Sequence, residues 1–177
     1  MRLQNIVCAS LFGLLLITTA GAQQTLVVSS NSPQIDGIIS PGEYSLVVEL
    51  PKGELYLNRN AELLCVAVRS ELDGWVALGL GSKRMDTASI YIGYVDSGGQ
   101  VFVQQMGRRH SHQDSSVAEP TAFQLNENQT GTVLELSFPA SAFIPAGAKS
   151  LSLIVAGGTR DDLTSYHSMR RGLEIRL

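Results

Sequence analysis

Cysteine is nearly missing from this chain of 177 residues, which has only Cys8 and Cys65. Cys8 falls in an N-terminal leader, so one thiol remains for the folded part and an internal disulfide is excluded. Covalent c-type haem attachment needs Cys-x-x-Cys-His, which is absent. Charge is sparse too, at 16% of residues, and the basic doublets Lys83-Arg84, Arg108-Arg109 and Arg170-Arg171 do not extend into longer runs. Nucleic-acid binding needs clustered Lys and Arg, so that class is set aside. The hydrolase signatures Gly-x-Ser-x-Gly and His-Glu-x-x-His are absent. No convincing amphipathic helix can be read, and no stretch reaches the ~20 apolar residues of a membrane-spanning helix.

What is present begins with a leader. Arg2, an apolar core over residues 6–18 and the small residues Ala20-Gly21-Ala22 predict a signal peptide over residues 1–22. Cys8 lies inside that core, not after it, which argues against a lipoprotein site. Residues 23–177 are then expected to form one exported domain, periplasmic or extracellular, with no membrane span after cleavage. Without Arg2 the chain carries 12 basic and 16 acidic residues, a formal charge of −4. With 44% hydrophobic residues it can bury a substantial core.

The pattern of the exported part is strand-like throughout. Residues 25–29 are a possible first strand, and a turn-rich stretch over 31–44 leads into Leu46, Val48 and Leu50 on one face. Short apolar runs follow at 54–57, 62–69, 74–81 and 89–95, and Ser97-Gly-Gly99 marks a hairpin into 100–105. Later, Leu134, Leu136 and Phe138 alternate with Glu135 and Ser137. Leu151, Leu153 and Val155 repeat the alternation, as do Leu173, Ile175 and Leu177. Period-two alternation between closely spaced turns predicts an all-β, immunoglobulin-like antiparallel sandwich with little helix. The polar stretch 110–130 reads as a long surface excursion, and 139–147 has room for one helical turn.

Chemistry concentrates in two loops. Met85 lies in the polar segment Gly81-Ser-Lys-Arg-Met-Asp-Thr-Ala88, where core packing is a less natural role than in a strand. His167 lies in Thr164-Ser-Tyr-His-Ser-Met-Arg-Arg-Gly172. A thioether and an imidazole on separate loops are a ligand pair that b-type haem uses. Gly79 and Gly81 would let a flat ring approach the backbone closely. His110-Ser-His112 with Asp114 is a rival metal site and His110 a substitute ligand, but no cysteine pair supports them. Asp161-Asp162 and Glu71/Asp73 are weaker pairs for acid–base work. Asn128-Gln-Thr130 matches a glycosylation sequon of low specificity. Cys65, in the apolar run Leu63-Leu-Cys-Val-Ala-Val68, is expected to be buried and inert.

In combination, Gly74-Trp-Val-Ala-Leu-Gly-Leu-Gly81, the Met85 loop, the strand to Val95, the late Ala156-Gly-Gly158 turn with His167, and the opening Asp36-Gly37…Glu43-Tyr44 resemble the DOMON family. Its cytochrome members bind haem b through one Met and one His. The resemblance covers most of residues 35–177. It implies a non-covalent haem b with Met85 and His167 as axial ligands to the iron, and single-electron transfer without a catalytic centre of its own. A redox partner protein of unknown identity is implied as well. Mild overall acidity suggests that this partner docks through a basic or neutral surface. Both ligand loops are expected at one end of the sandwich. Other DOMON members lack the haem ligands, so the alternative is a module for a carbohydrate or another small ligand.

Overall fold

The computed structural model describes residues 24–109 and 111–177; the signal peptide expected over residues 1–22 lies outside the described residues, as does His110. Eleven strands form among the described residues: β1 (Leu46–Leu50), β2 (Gly53–Arg59), β3 (Leu63–Ser70), β4 (Val76–Leu80), β5 (Ser89–Asp96), β6 (Gly99–Arg108), β7 (Ser111–Gln113), β8 (Ala122–Asn128), β9 (Gly131–Pro139), β10 (Ser150–Gly157) and β11 (Met169–Arg176). They make two antiparallel sheets, β1-β2-β3-β9-β8 and β11-β10-β4-β5-β6-β7. The helix among the described residues is one 3-10 turn, Ala140–Ala142, inside the stretch expected to hold it. No described helix is long and apolar enough to cross a membrane.

The alternation puts one residue set from each sheet between the layers. Leu55, Leu57, Leu64, Val66, Leu134, Leu136 and Phe138 come from one sheet and Leu78, Tyr91, Leu151, Leu153 and Val155 from the other, all essentially without solvent contact. Tyr91, Phe138 and Phe143 pack ring to ring, with centroids 4.9 and 5.1 Å apart. Cys65 is buried, and burial pushes its thiol pKa up, as expected of an inert packing residue.

Three local expectations need correction. Residues 25–29 form no strand. Isolated parallel bridges tie Thr25 to Arg176 of β11 and Val28 to Arg59 of β2, so this segment stitches the two sheets together while burying Leu26. The stretch 110–130 is only partly an excursion. It contributes β7 and β8, where Leu125 is buried and Phe123 stacks on Phe102 with centroids 4.1 Å apart. Both are edge strands, whose polar composition protects a free edge and reads as loop.

The third correction concerns the alternate residues of β9. Glu135 and Ser137 face away from the core yet are buried, because the turn-rich segment before β1 lies over that face. The Glu135 carboxylate accepts hydrogen bonds from the amides of Asp36 (3.1 Å) and Gly37 (2.6 Å) and from the Tyr44 hydroxyl (2.7 Å). Glu43 holds the same segment in shape by accepting from the Gln34 and Ser40 amides. Gly37 needs its glycine: φ is +84° and a Cβ would sit 2.9 Å from that of Asn126. The Asp36-Gly37…Glu43-Tyr44 motif is thus a latch over the five-stranded sheet.

Candidate functional site

The six-stranded sheet is apolar on its outer face as well. Ala77, Gly79, Ile90, Ile92, Ile154 and Ala156 alternate with the core residues of β4, β5 and β10 and point the other way. β4 is buried at every position, the signature of a strand with two dry faces. Two loops cover this face incompletely and leave a cleft of about 400 Å³, within the ~300–1,000 Å³ typical of small-molecule and cofactor sites. Met85 and His167 both line it.

The loops come from opposite ends of the strands. Leu80 of β4 pairs with Leu153 and Val76 with Gly157, so residues 81–88 leave one end of the sheet and residues 158–168 the other. The expectation that both lie at one end is therefore wrong. β4 and β10 are antiparallel neighbours, so the loops that follow them leave opposite ends of the sheet.

Each loop is anchored over the face. The loop 81–88 is knit to the end of β6: Thr87 N–H donates to the Gly107 carbonyl (2.9 Å) and Gly107 N–H to that of Ala88 (2.8 Å). A Cβ on Gly107 would occupy the place of the Met85 carbonyl, so β6 must carry glycine there. Met85 itself is half-buried against a cluster of Trp75, Ala77, Ala88, Ile90, Ile92 and Ile154. The loop 158–168 is held by Trp75, whose Nε1 donates to Ser165 Oγ (2.9 Å), and by Ser168 N–H bonding the Gly157 carbonyl (2.8 Å). Within it, Asp162 Oδ1 accepts from the Thr164 and Ser165 amides, which hold its carboxyl below the usual range. The His167 side chain is exposed and its ring makes no hydrogen bond among the described residues.

Other residues singled out in the sequence lie elsewhere or do different work. Asp162 shapes its loop rather than pairing with Asp161 as acid and base. Glu71 and Asp73 sit in the β3–β4 connection outside the cleft, and Asn128 and Thr130 form an exposed turn between β8 and β9. His110 and the His112 side chain are outside the described part. Asp114 accepts from Gln105 Nε2, and no group of three potential metal-ligating His, Cys, Asp or Glu residues occurs among the described residues.

Gly79 and Gly81 also divide. A Cβ at Gly79 would stand 2.6 Å from Ile154 Cγ2 and 3.1 Å from Ala88 Cβ, so this glycine relieves crowding in the cleft floor. Gly81 has φ +89° and no close neighbour, so it serves the turn. The isoleucine floor, Leu163, Tyr166 and Arg170 line the cleft without having been foreseen. The available signal was apolar character at both parities of β4, β5 and β10, which implies a second dry face.

Fold and site together define an antiparallel β-sandwich with a ligand-sized apolar cleft on the outer face of one sheet. No protein-family model and no curated protein matches the chain. Among solved structures it is similar to the cytochrome domain of Myriococcum thermophilum cellobiose dehydrogenase, with TM-score 0.49 and 11% identity over 75% of this chain and 81% of that one. It is also similar to the cytochrome b domain of pyranose dehydrogenase from Coprinopsis cinerea, with TM-score 0.43 and 13% identity over 64% of this chain and 67% of that one. Neither match bears on what this cleft holds.

Proposed function

We propose that the chain is an exported DOMON-type electron-transfer domain whose cleft holds haem b between Met85 and His167. The observation that carries this reading is the meeting, in one apolar cleft, of a thioether and an imidazole far apart in sequence. The residues fit the group. Aliphatic side chains and Gly79 offer a dry floor, and Met85 and His167 offer soft and borderline donors suited to haem iron. Loops leaving opposite ends of the strands can reach a flat ring from its two faces. Bound haem would supply a one-electron couple, whose potential Met/His ligation raises.

The chain's own part is positional. Trp75 and Asp162 fix the loop that presents His167, leaving its ring free of competing hydrogen bonds. The knit between the 81–88 loop and Gly107 fixes Met85. Were Met85 and His167 both to hold the iron, the protein would leave it no open coordination site, which would favour electron transfer over oxygen chemistry. A carbohydrate would find hydrogen-bonding side chains only along the 164–170 wall, at Thr164, Ser165, Tyr166, His167 and Arg170, and none on the aliphatic floor.

Met85→His separates ligand from packing. The variant is expected to retain haem while its reduction potential falls, since a second imidazole favours the ferric state relative to a thioether. Redox titration of the two haem-loaded proteins reads this directly. An unchanged potential would show that Met85 does not touch the iron.

A further inference from the structure

We infer that the rim of the cleft is a docking surface for an acidic redox protein, in opposition to the chain's own net charge. This rests on the reading of the cleft as an electron-transfer site, which is what makes the partner a redox protein. The chain without its leader is acidic, but its charge is unevenly placed. Glu49, Glu62 and Glu127 lie on the five-stranded sheet and its turns, where Glu54 is paired with Arg69. Beside the cleft stand Arg84, Arg109 and Arg170, all exposed, and none has a carboxylate within ion-pair distance among the described residues; of the acids in the same loops, Asp162 is paired with Arg160, which leaves Asp86 and Asp161 against the three arginines.

The structure itself gathers these cations. Arg84 precedes Met85, and the pairing of residues 87 and 88 with Gly107 brings Arg109 alongside that loop. The Arg109 amide donates to Asp86 Oδ1 (2.8 Å), which closes the join. Arg170 lines the cleft from β11. Lys83 is spoken for, bound to Glu174 at 2.6 Å. At the cleft mouth, next to His167, the Tyr166 side chain is 94% exposed. Unpaired arginines around an exposed tyrosine are the composition of interface hot spots, and a cationic rim steers a carboxylate-rich surface toward it. The exposed ring and the cleft that it borders would then lie inside the contact, which places the partner where an electron has least protein to cross.

The test uses an acidic plant-type ferredoxin and a basic mitochondrial-type cytochrome c as probes. Each is titrated into the isotopically labelled chain, and amide shifts are followed. The ferredoxin is expected to bind at low ionic strength, to shift amides of the 81–88 loop, the β6–β7 turn and the Tyr166 loop, and to weaken at least about tenfold in high salt. Arg84→Glu with Arg109→Glu should weaken it by a similar factor, while Lys52→Glu on the other sheet should not. Tighter binding of the cytochrome c, ferredoxin shifts on the five-stranded sheet, or indifference to the double reversal would overturn the proposal. So would a short DNA duplex or an anionic vesicle held at this rim more tightly than the ferredoxin. Amide shifts do not require haem, so a chain that docks ferredoxin here but takes up no haem fails the cofactor reading alone.

Discussion

Replacing Glu135 with alanine is expected to destabilise the fold by about 3–5 kcal/mol, because three donors lose a buried acceptor at once. The amides of Asp36 and Gly37 and the Tyr44 hydroxyl all point at this carboxylate, in a layer closed to water. Glu135→Gln keeps the volume and an acceptor oxygen, so at neutral pH its effect should be much smaller. The two variants also differ in what they do to pH dependence. Burial raises the Glu135 pKa, outweighing the three hydrogen bonds that lower it. For an acid with a raised folded pKa, the folded state holds its proton more tightly than the unfolded chain does. Its contribution to stability is therefore full below the unfolded pKa, near 4.3, and is lost as pH rises through the folded value. Urea unfolding across mildly acidic to neutral pH should show this loss in the native chain and a flatter profile in Glu135→Gln. Equal slopes in the two would mean that Glu135 is not held above its ordinary pKa.

His167→Ala is expected to cost the cleft about 100-fold or more in haem affinity. Loss of an orienting partner around a metal ligand already costs ~10–100-fold, and removal of the ligand itself should exceed that. The fold should barely notice, since the His167 side chain is exposed and makes no hydrogen bond among the described residues. The measurement is a haem titration of the native and variant chains followed by absorbance, beside urea unfolding of both without haem. An affinity within a factor of two of the native chain would remove His167 from the site. Met85→His is the complementary variant, altering potential while retaining haem.

The sandwich was legible because water and a dry core impose opposite preferences on alternate residues, as in Leu134-Glu-Leu-Ser-Phe138. The same rule misleads where a third layer intervenes: Glu135 looks like a solvent-facing residue and is buried under the 31–44 segment. Met85 and His167 stood out chemically, yet their meeting in one cleft depends on antiparallel pairing of β4 with β10, strands far apart in sequence. Periodicity does not encode that pairing, which is also why the two loops were expected at the same end. Trp75 was visible as part of a motif, but its work, holding Ser165 and hence the His167 loop, needs the fold to be seen. The arginine rim was invisible for a similar reason. As doublets, Lys83-Arg84 and Arg108-Arg109 look like ordinary solvated pairs until Gly107 brings Arg109 to the loop that carries Arg84 and Met85.

The central claim is that the cleft binds haem b with Met85 and His167 on the iron. Its most direct test is to add haem b to the purified, unsubstituted chain and record visible and near-infrared absorbance through the titration. The account predicts uptake of one haem per chain, a low-spin spectrum in both oxidation states, and in the ferric form the weak charge-transfer band of a thioether bound to iron. A chain that stays colourless, or binds haem with a high-spin spectrum and no thioether band, would contradict it.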